Sequence, residues 1–253
     1  MKSSLRSLVL TTLTLTLTVL LSASSLWATD AATPGKLRVL VTYGGHAFEK
    51  QPFWAMWDRL PGIVYRKAQL PQAADLLKPG LQKDYEVIVR YDMVKRLTPR
   101  QRADFVALLK SGIGLVCLHH NLGAQDDWAE LRNIIGGKYL HTAITIGGKK
   151  YGPSEYSEGQ DMRVTVADRR HPITAGIDDF KIHDEAYRKF YLAPDSHVLL
   201  TVDHPKCDRG VAWVHQYGKS RVFYLMFGHG PSAWQNPNYS RLLVNGIRWA
   251  AGS

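Results

Sequence analysis

The sequence predicts a single α/β domain built around a mostly parallel β-sheet. Short β-branched segments alternate along the chain with segments that have the apolar spacing of amphipathic helices. One segment, residues 113–118, is almost continuously apolar, which is typical of a central parallel strand buried on both faces. The chain has 253 residues, a length that α/β folds reach as one domain, and it contains no internal repeat or low-complexity linker.

The first predicted elements alternate between strand and helix. Residues 37–43 are β-branched and pass into a glycine-rich loop, which predicts the first strand. Residues 84–91 predict a second strand in the same way. Thr98 and Pro99 supply an N-cap and a first-turn proline, so we expect a helix over residues 99–110.

The second half of the domain is predicted to be rich in β-structure. A helix over residues 128–135 ends at two glycines, and a helix over residues 238–251 closes the chain. Between them, glycine and proline separate short apolar runs. The strands predicted from these runs are 162–166, 181–183, 197–202, 211–215 and 221–226. We therefore expect a parallel N-terminal half that is extended by a β-rich C-terminal half.

The charge of the chain is positive but scattered. The chain contains 32 Lys and Arg against 22 Asp and Glu, a formal charge of +10. The basic residues occur as isolated pairs without a continuous stripe, and no nucleic-acid-binding motif is present, so we expect no nucleic-acid partner. The two cysteines, Cys117 and Cys207, are too few for a disulfide framework or a four-cysteine zinc site.

Residues 1–28 have the pattern of a signal peptide. Lys2 and Arg6 precede an uncharged stretch that runs to residue 29, and small residues follow. The apolar part, residues 8–21, is shorter than the roughly 20 residues that a membrane span needs, so cleavage is favoured over an uncleaved anchor. We expect a mature domain over residues 37–252 that is exported to the periplasm and keeps no stable membrane span.

Five histidines lie where a strand is expected to end: His46, His119, His120, His183 and His229. In open α/β sheets, ligands bind beyond the carboxyl ends of the strands. A histidine beside glycine can approach such a ligand closely. These residues are therefore the first candidates for chemistry, although each could instead be a hydrogen-bonded loop or core histidine.

An acidic pair, Asp184 and Glu185, follows one of these histidines and precedes Tyr187. Adjacent residues on a strand point to opposite faces, so only one of the two acids should face a site. That carboxylate could orient an imidazole, bind a divalent metal or act as a general base; the alternative is a solvated acidic turn. Histidine with carboxylate suits zinc, manganese or iron, but no HExxH spacing occurs, so distant segments would have to assemble the site.

Several common catalytic and cofactor motifs are missing from the sequence. Cys117 lies inside the predicted central strand, where a free cysteine behaves as a small hydrophobic residue and not as a nucleophile. There is no Gly-x-Ser-x-Gly elbow, no P-loop and no Gly-x-Gly-x-x-Gly after a strand. We therefore expect no nucleotide cofactor.

Taken together, several motifs resemble the ThuA-like (trehalose utilisation) family. The first two are VLVTYGGH at residues 39–46 and GLVCLHHNLG at residues 114–123. The others are 136–139, 171–176, 184–187, 213–224 and 246–249, with Trp128, Gly228, His229, Trp234, Asn236 and Pro237. The resemblance covers residues 37–252. It implies the class I glutamine amidotransferase-like fold, a flavodoxin-like α/β sandwich with helices on both faces of the sheet.

The resemblance also bears on the chemistry. Amidotransferases of that superfamily carry a cysteine at the turn after the central strand, but here the turn holds His119, His120 and Asn121, so glutamine hydrolysis should be absent. The family is associated with sugar utilisation beside Gfo/Idh/MocA-type oxidoreductases, which make 3-keto-sugars. This implies a lyase, isomerase or hydrolase that acts on glycosides or 3-keto-glycosides. The alternative is a non-catalytic carbohydrate-binding or scaffold protein.

A 3-keto group acidifies the proton at C2 of a sugar, so one base and one electrophile suffice for catalysis. We expect His120 or Glu185 to be the base, with His46 and His229 as electrophiles. The candidate metal ligands are His46, His120, Glu185 and His229. The expected substrate-binding residues are His119, Asp184, Tyr187, Trp128 and Trp234. The expected partner is a small sugar or glycoside, and the oligomeric state stays open, with a homo-oligomer among the options.

Overall fold

A computed structural model describes residues 35–252, and the predicted signal peptide, residues 1–28, lies outside the described residues. The described part contains five α-helices and thirteen strands. The helices are α1 (Lys50–Trp57), α2 (Pro99–Ser111), α3 (Ala129–Ile135), α4 (Pro231–Trp234) and α5 (Pro237–Ala251). The strands are β1 (Leu37–Gly44), β2 (Ile63–Gln69), β3 (Val87–Asp92), β4 (Gly114–Leu118), β5 (Gly137–Lys138), β6 (Ile144–Ile146), β7 (Lys149–Tyr151), β8 (Glu155–Val166), β9 (Phe180–Arg188), β10 (Tyr191–Leu192), β11 (His197–Val202), β12 (Gly210–Tyr217) and β13 (Ser220–Leu225).

Nine strands of the described chain form one mixed sheet in the order β2-β1-β3-β4-β13-β12-β11-β8-β9. The pairings from β2 to β13 are parallel. The pairings from β13 to β9 are antiparallel. Helix α5 packs against β3, β4 and β13, whereas α3 packs against β12 and β13. The expected α/β architecture, with a parallel core and a β-rich C-terminal half, is therefore confirmed.

Local sequence signals account well for helix α2. The Thr98 side chain accepts a hydrogen bond from the Gln101 backbone N–H, and the Gln101 side chain accepts one from the Thr98 N–H, forming a capping box. Gly112 ends the helix in a left-handed conformation, with φ of 107°. The helix therefore begins at Pro99 as expected and runs one residue beyond the predicted end, to Ser111.

Helix α1 and strand β2 had no clear signal in the sequence. Strand β2 is the parallel edge strand beside β1, and Arg66 and Lys67 at its centre are exposed. These charges interrupt the apolar pattern that marks the inner strands, because an edge strand needs less apolar surface. The strand nevertheless completes the parallel half of the sheet.

Strand β9 is longer than the predicted 181–183, and this changes the position of two candidate residues. His183 and Glu185 lie within the strand and not at its end, so the expectation that His183 follows a strand was wrong. The side chain of His183 is exposed and pairs with Asp161 on β8 at 2.8 Å. His183 therefore lies outside the candidate site.

The antiparallel end of the sheet bends towards the loop that follows β13. Four pairings separate β13 from β9, and at about 4.8 Å per pairing a flat sheet would put these strands roughly 19 Å apart. Yet the backbone N–H of Gly228, three residues after β13, lies 2.6 Å from Asp184 Oδ2 on β9. The register of β8 and β9 shifts between Ser157 and Gln160, a bulge of the kind that bends strands. The curvature brings β9 back to the carboxyl edge of the parallel strands.

None of the helices in the described residues is both long enough and apolar enough to cross a lipid bilayer.

Candidate functional site

The turn after the central strand β4 carries two of the candidate histidines. It is a 3-10 helix, His119–Gly123, and His119 has a left-handed backbone with φ of 47°. Two hydrogen bonds hold the turn: Tyr224 Oη donates to the His119 carbonyl at 3.0 Å, and Asn121 Nδ2 donates to the Asp92 carbonyl at 2.6 Å. A non-glycine residue held in this conformation stores backbone strain, which is common at functional sites.

Three potential ligand atoms converge beside this turn. His119 Nε2 lies 3.0 Å from Glu185 Oε2 and 3.1 Å from His229 Nδ1. The third side of the triangle, from His229 Nδ1 to Glu185 Oε2, is 3.4 Å long. Among the described residues, this is the group of histidine, cysteine or carboxylate side chains whose geometry could hold a metal ion. We refer to His119, Glu185 and His229 as the triad.

Neighbouring groups hold the triad in place. His119 Nδ1 donates a hydrogen bond to the Met226 carbonyl at 2.6 Å, which leaves the lone pair of neutral His119 on Nε2, inside the triad. Tyr187 Oη lies 3.0 Å from the same nitrogen. The carboxylate of Asp184 accepts hydrogen bonds from the backbone N–H groups of Gly228 and His229, at 2.6 and 3.0 Å.

Charges and burial act together on the pKa values of the triad. Burial raises the pKa of Glu185, but its hydrogen bonds to His119 and His229 and their charges lower it more, so the pKa lies well below its usual value. The hydrogen bond to Glu185 raises the pKa of His229. Burial, together with the charge of Glu185, raises the pKa of Tyr187. The carboxylate is therefore ionised and the tyrosine is neutral at physiological pH.

His120 lies beside the triad with one ring nitrogen free. Its Nε2 donates a hydrogen bond to the Tyr91 carbonyl at 3.1 Å, and its ring stacks on His46 with 4.6 Å between centroids. Its Nδ1 is buried and has no hydrogen-bond partner within the described residues. Burial, and then the nearby His119 and His46, lower the pKa of His120 well below its ordinary value. His120 is therefore neutral, with an unshared lone pair on Nδ1.

Glu185 and His229 of the triad, together with His120, border one cavity of about 410 Å³, a size typical of small-molecule sites. The cavity lies beyond the carboxyl ends of β1, β4 and β13, where ligands bind in open α/β sheets. Its polar and aromatic lining residues are His46, His120, Tyr139, His141, Tyr156, Glu158, Glu185, Tyr187 and His229. Two carboxylates and four histidines therefore face a space that could hold a small polar molecule.

Residues 62–250 match the family model of ThuA, which is described as trehalose utilisation. The chain belongs to the ThuA family. No protein of curated function matches the sequence.

Solved structures of ThuA-like proteins share the fold. A ThuA-like protein from Parabacteroides merdae is 17% identical, with a TM-score of 0.68 over 85% of this chain and 90% of that one. One from Bacteroides uniformis is 20% identical, with a TM-score of 0.66 over 88% of this chain and 95% of the other. A β-galactosidase from Bacillus circulans is 12% identical, with a TM-score of 0.55, and the match covers 85% of this chain but 31% of the enzyme. The flavodoxin-like class expected from the sequence is thereby confirmed.

The ThuA fold gathers most of the residues singled out in the sequence. His46, His120, Glu185, Tyr187 and His229 all line the cavity. The grouping differs from the expected one in the metal ligands, because His119 takes part in the triad, whereas His46 and His120 do not. His46 is exposed, and its Nδ1 donates to the Ala47 carbonyl at 2.7 Å.

Three residues assigned to substrate binding have other positions in this ThuA chain. Asp184 is buried, and both of its carboxylate oxygens accept hydrogen bonds from backbone N–H groups, so it supports the loop of His229. Trp234 is buried, and its Nε1 donates to the Gly228 carbonyl at 3.0 Å. Trp128 begins helix α3 and packs near Arg102 and Phe105. Neither tryptophan lines the cavity, so the structure does not bring them together with the other expected substrate-binding residues.

Other lining residues were not among the site residues expected from the sequence. Tyr139 and His141 follow the short strand β5, and Tyr156 and Glu158 lie in the first half of β8, which was not predicted as strand. Strand alternation over residues 155–158 could have placed Tyr156 and Glu158 on one face.

Cys117 is no candidate for catalysis in this fold. It is fully buried within β4, and burial raises the pKa of its thiol to about 12. A thiol in this state is not a nucleophile at physiological pH.

Proposed function

We propose that this ThuA protein is a sugar-processing enzyme that acts on glycosides or 3-keto-glycosides in the cavity at the triad. The family description, trehalose utilisation, supports a sugar substrate. The cavity volume of about 410 Å³ suits a small molecule, and its tyrosines and carboxylates offer both ring surfaces and hydrogen-bond acceptors. A 3-keto-glycoside requires only one base and one electrophile for reaction, and the site has candidates for both.

The observation that carries the proposal is the free lone pair of His120. Its Nδ1 is buried and has no partner among the described residues, and the His120 side chain lines the cavity. A buried polar atom without a partner costs about 1–3 kcal/mol. A substrate that brings a proton to this nitrogen would recover that energy. Glu185 is less suited as the base, since it already contacts both His119 and His229.

The reaction begins when His120 Nδ1 takes the proton from C2 of the sugar. The C–H electron pair then forms the enolate of the 3-keto group, whose oxygen accepts a hydrogen bond from His229, the histidine whose pKa is raised. Expulsion of the C1 substituent gives an unsaturated ketose, and the departing alkoxide takes the proton that His120 removed from C2. Return of a proton to the opposite face of C2 gives an isomer instead, and addition of water at C1 after expulsion gives net hydrolysis.

The test uses NMR to compare the rates at which the wild type and its variants convert a 3-keto-glucoside. His120→Gln keeps a donor for the Tyr91 carbonyl and removes the basic nitrogen, so we expect the rate to fall about 10²–10⁴-fold with the fold intact by circular dichroism. His183→Ala, at an exposed histidine outside the cavity, is the matched control and should react as the wild type. Unchanged turnover in His120→Gln, and in His120→Ala, would reject His120 as the base. A wild type that converts nothing but binds an unmodified disaccharide tightly would favour a binding protein.

We further propose that the protein is exported through its N-terminal segment and works in the periplasm without a nucleic-acid partner. The uncharged stretch after Lys2 and Arg6 supports this proposal. Cell fractionation, with N-terminal sequencing of the recovered protein, should find a chain that begins at or shortly after residue 29. A full-length chain in the cytoplasm would contradict export.

A further inference from the structure

We propose that the triad of His119, Glu185 and His229 is a binding site for one divalent metal ion, with zinc as the best-suited ion. This deepens the function proposed above, since the ion would supply the electrophile. The binding site itself, however, rests on geometry alone.

The distances within the triad match a metal centre. The nitrogen and oxygen ligands of zinc lie about 2.0–2.2 Å from the ion, and tetrahedral angles then place two ligands roughly 3.3–3.6 Å apart. The three sides of the triad measure 3.0, 3.1 and 3.4 Å, so a small adjustment would admit an ion. Two histidines with one carboxylate form a donor set that zinc, iron and manganese accept.

One ring nitrogen of His119 is directed into the triad. Its Nδ1 donates to the Met226 carbonyl at 2.6 Å, and its Nε2 lies 3.0 Å from Glu185 Oε2. In the tautomer that the Met226 bond selects, the lone pair that a metal ion needs lies on Nε2.

The groups behind the triad are those that usually support metal ligands. Histidine ligands commonly donate their second N–H to a carbonyl, as His119 does to Met226. Asp184 accepts a hydrogen bond from the backbone N–H of His229, which ties this loop residue to strand β9. These contacts fix the directions of the ligand atoms before any ion binds.

The position of the cavity indicates a catalytic rather than a structural site. His119 is completely buried, whereas Glu185 and His229 line the cavity. Three protein ligands leave a tetrahedral ion one open position, as in catalytic zinc sites. A metal ion there could polarise the keto oxygen of the substrate as a Lewis acid.

The experiment measures metal binding by the full chain, independently of activity. The protein is stripped with a chelator and titrated with Zn²⁺ and with Mn²⁺ by calorimetry, with metal content checked by mass spectrometry. We expect one ion per chain in the wild type and in His183→Ala, which removes an exposed histidine. Glu185→Gln and His229→Ala should bind at least about 100-fold more weakly, since even losses behind the ligands cost 10–100-fold.

Cobalt provides a second readout that does not depend on stability. Co²⁺ in the wild type should give the visible absorption of a four- or five-coordinate ion, and Glu185→Gln should lose it. Failure of the wild type to bind a stoichiometric ion, or wild-type affinity in both triad variants, would overturn the proposal. If the wild type binds one ion but does not convert 3-keto-glucosides, the metal site is supported and the proposed sugar function is rejected. If the protein still converts 3-keto-glucosides after the chelator has removed all metal, the proposed function is supported and the role of the ion as electrophile is rejected.

Discussion

Asp184 provides the sharpest test of how the loop of His229 is held. Its carboxylate is buried and accepts two backbone N–H groups, from Gly228 at 2.6 Å and from His229 at 3.0 Å. The substitution Asp184→Asn keeps the size of the side chain and one acceptor oxygen. Its amide group, however, must turn a donor towards one of the two N–H groups, so that one hydrogen bond is lost.

The size of the effect follows from this count of hydrogen bonds. A buried donor left without a partner costs about 1–3 kcal/mol. Burial raises the pKa of Asp184, while the charge of His119 and the backbone hydrogen bonds lower it less; the buried carboxylate therefore has a desolvation cost that asparagine avoids. We therefore expect Asp184→Asn to lower the free energy of unfolding by about 1–2 kcal/mol, in the lower part of that range.

Urea unfolding followed by tryptophan fluorescence measures this free energy, and calorimetric titration with Zn²⁺ measures the effect on the triad. Asp184 is a positioning residue, so metal affinity should fall about 10–100-fold, as for other groups that support ligands. Asp161→Asn is the matched control, because its exposed carboxylate pairs with His183, and exposed pairs contribute about 0–1 kcal/mol. If Asp184→Asn has the free energy of unfolding and the zinc affinity of the wild type, Asp184 does not hold the loop.

Three further substitutions or treatments test separate parts of the structure. Tyr156 is 61% exposed at the cavity rim, so Tyr156→Ala should raise KM for a 3-keto-glycoside several-fold and leave kcat nearly unchanged; a loss confined to kcat would contradict a binding role. Iodoacetamide at neutral pH should leave turnover unchanged, because the Cys117 thiol is fully buried and burial raises its pKa to about 12; rapid inactivation would disprove this. Gly246→Ala should lower the unfolding free energy by about 1–3 kcal/mol in urea titrations, since its new Cβ would lie 2.3 Å from Phe223. A stabilised protein, the usual result of Gly→Ala within a helix, would show that Phe223 moves aside.

Local sequence patterns were sufficient for part of the fold and of the site. The capping residues Thr98 and Pro99 and the apolar run before His119 predicted helix α2 and strand β4 close to their observed bounds. Because parallel strands end at the same edge of a sheet, the strand-end positions of His46, His120 and His229 also predicted that they would meet in one cavity.

The triad itself could not be predicted from such patterns. Glu185 belongs to an edge strand four pairings away from β13, and it reaches His229 only because the sheet curves back. That curvature depends on long-range packing, which has no local signal, and on the bulge between Ser157 and Gln160, whose local signal is Gly159 in a left-handed conformation. For the same reason His119 was not recognised as a ligand, since its partner lies 66 positions further along the chain.

The two tryptophans illustrate a different limit. A tryptophan near a glycine-rich loop can lie in the core or at the mouth of a cavity, and its immediate neighbours do not distinguish the two. In the structure, hydrogen bonding of Trp234 to the Gly228 carbonyl keeps its indole in the core, while the exposed Tyr156 lies at the rim instead.

Hydrogen exchange at C2 of a 3-keto-glucoside in D₂O is the most direct test of the central claim, that this site removes the C2 proton of a 3-keto-sugar. NMR follows loss of the H2 signal whether the intermediate goes on to elimination, isomerisation or return. We expect the zinc-loaded wild type and His183→Ala to accelerate this exchange, and His120→Gln to bring it close to the uncatalysed rate. Exchange that the wild type does not accelerate, or that persists unchanged in His120→Gln, would contradict the claim.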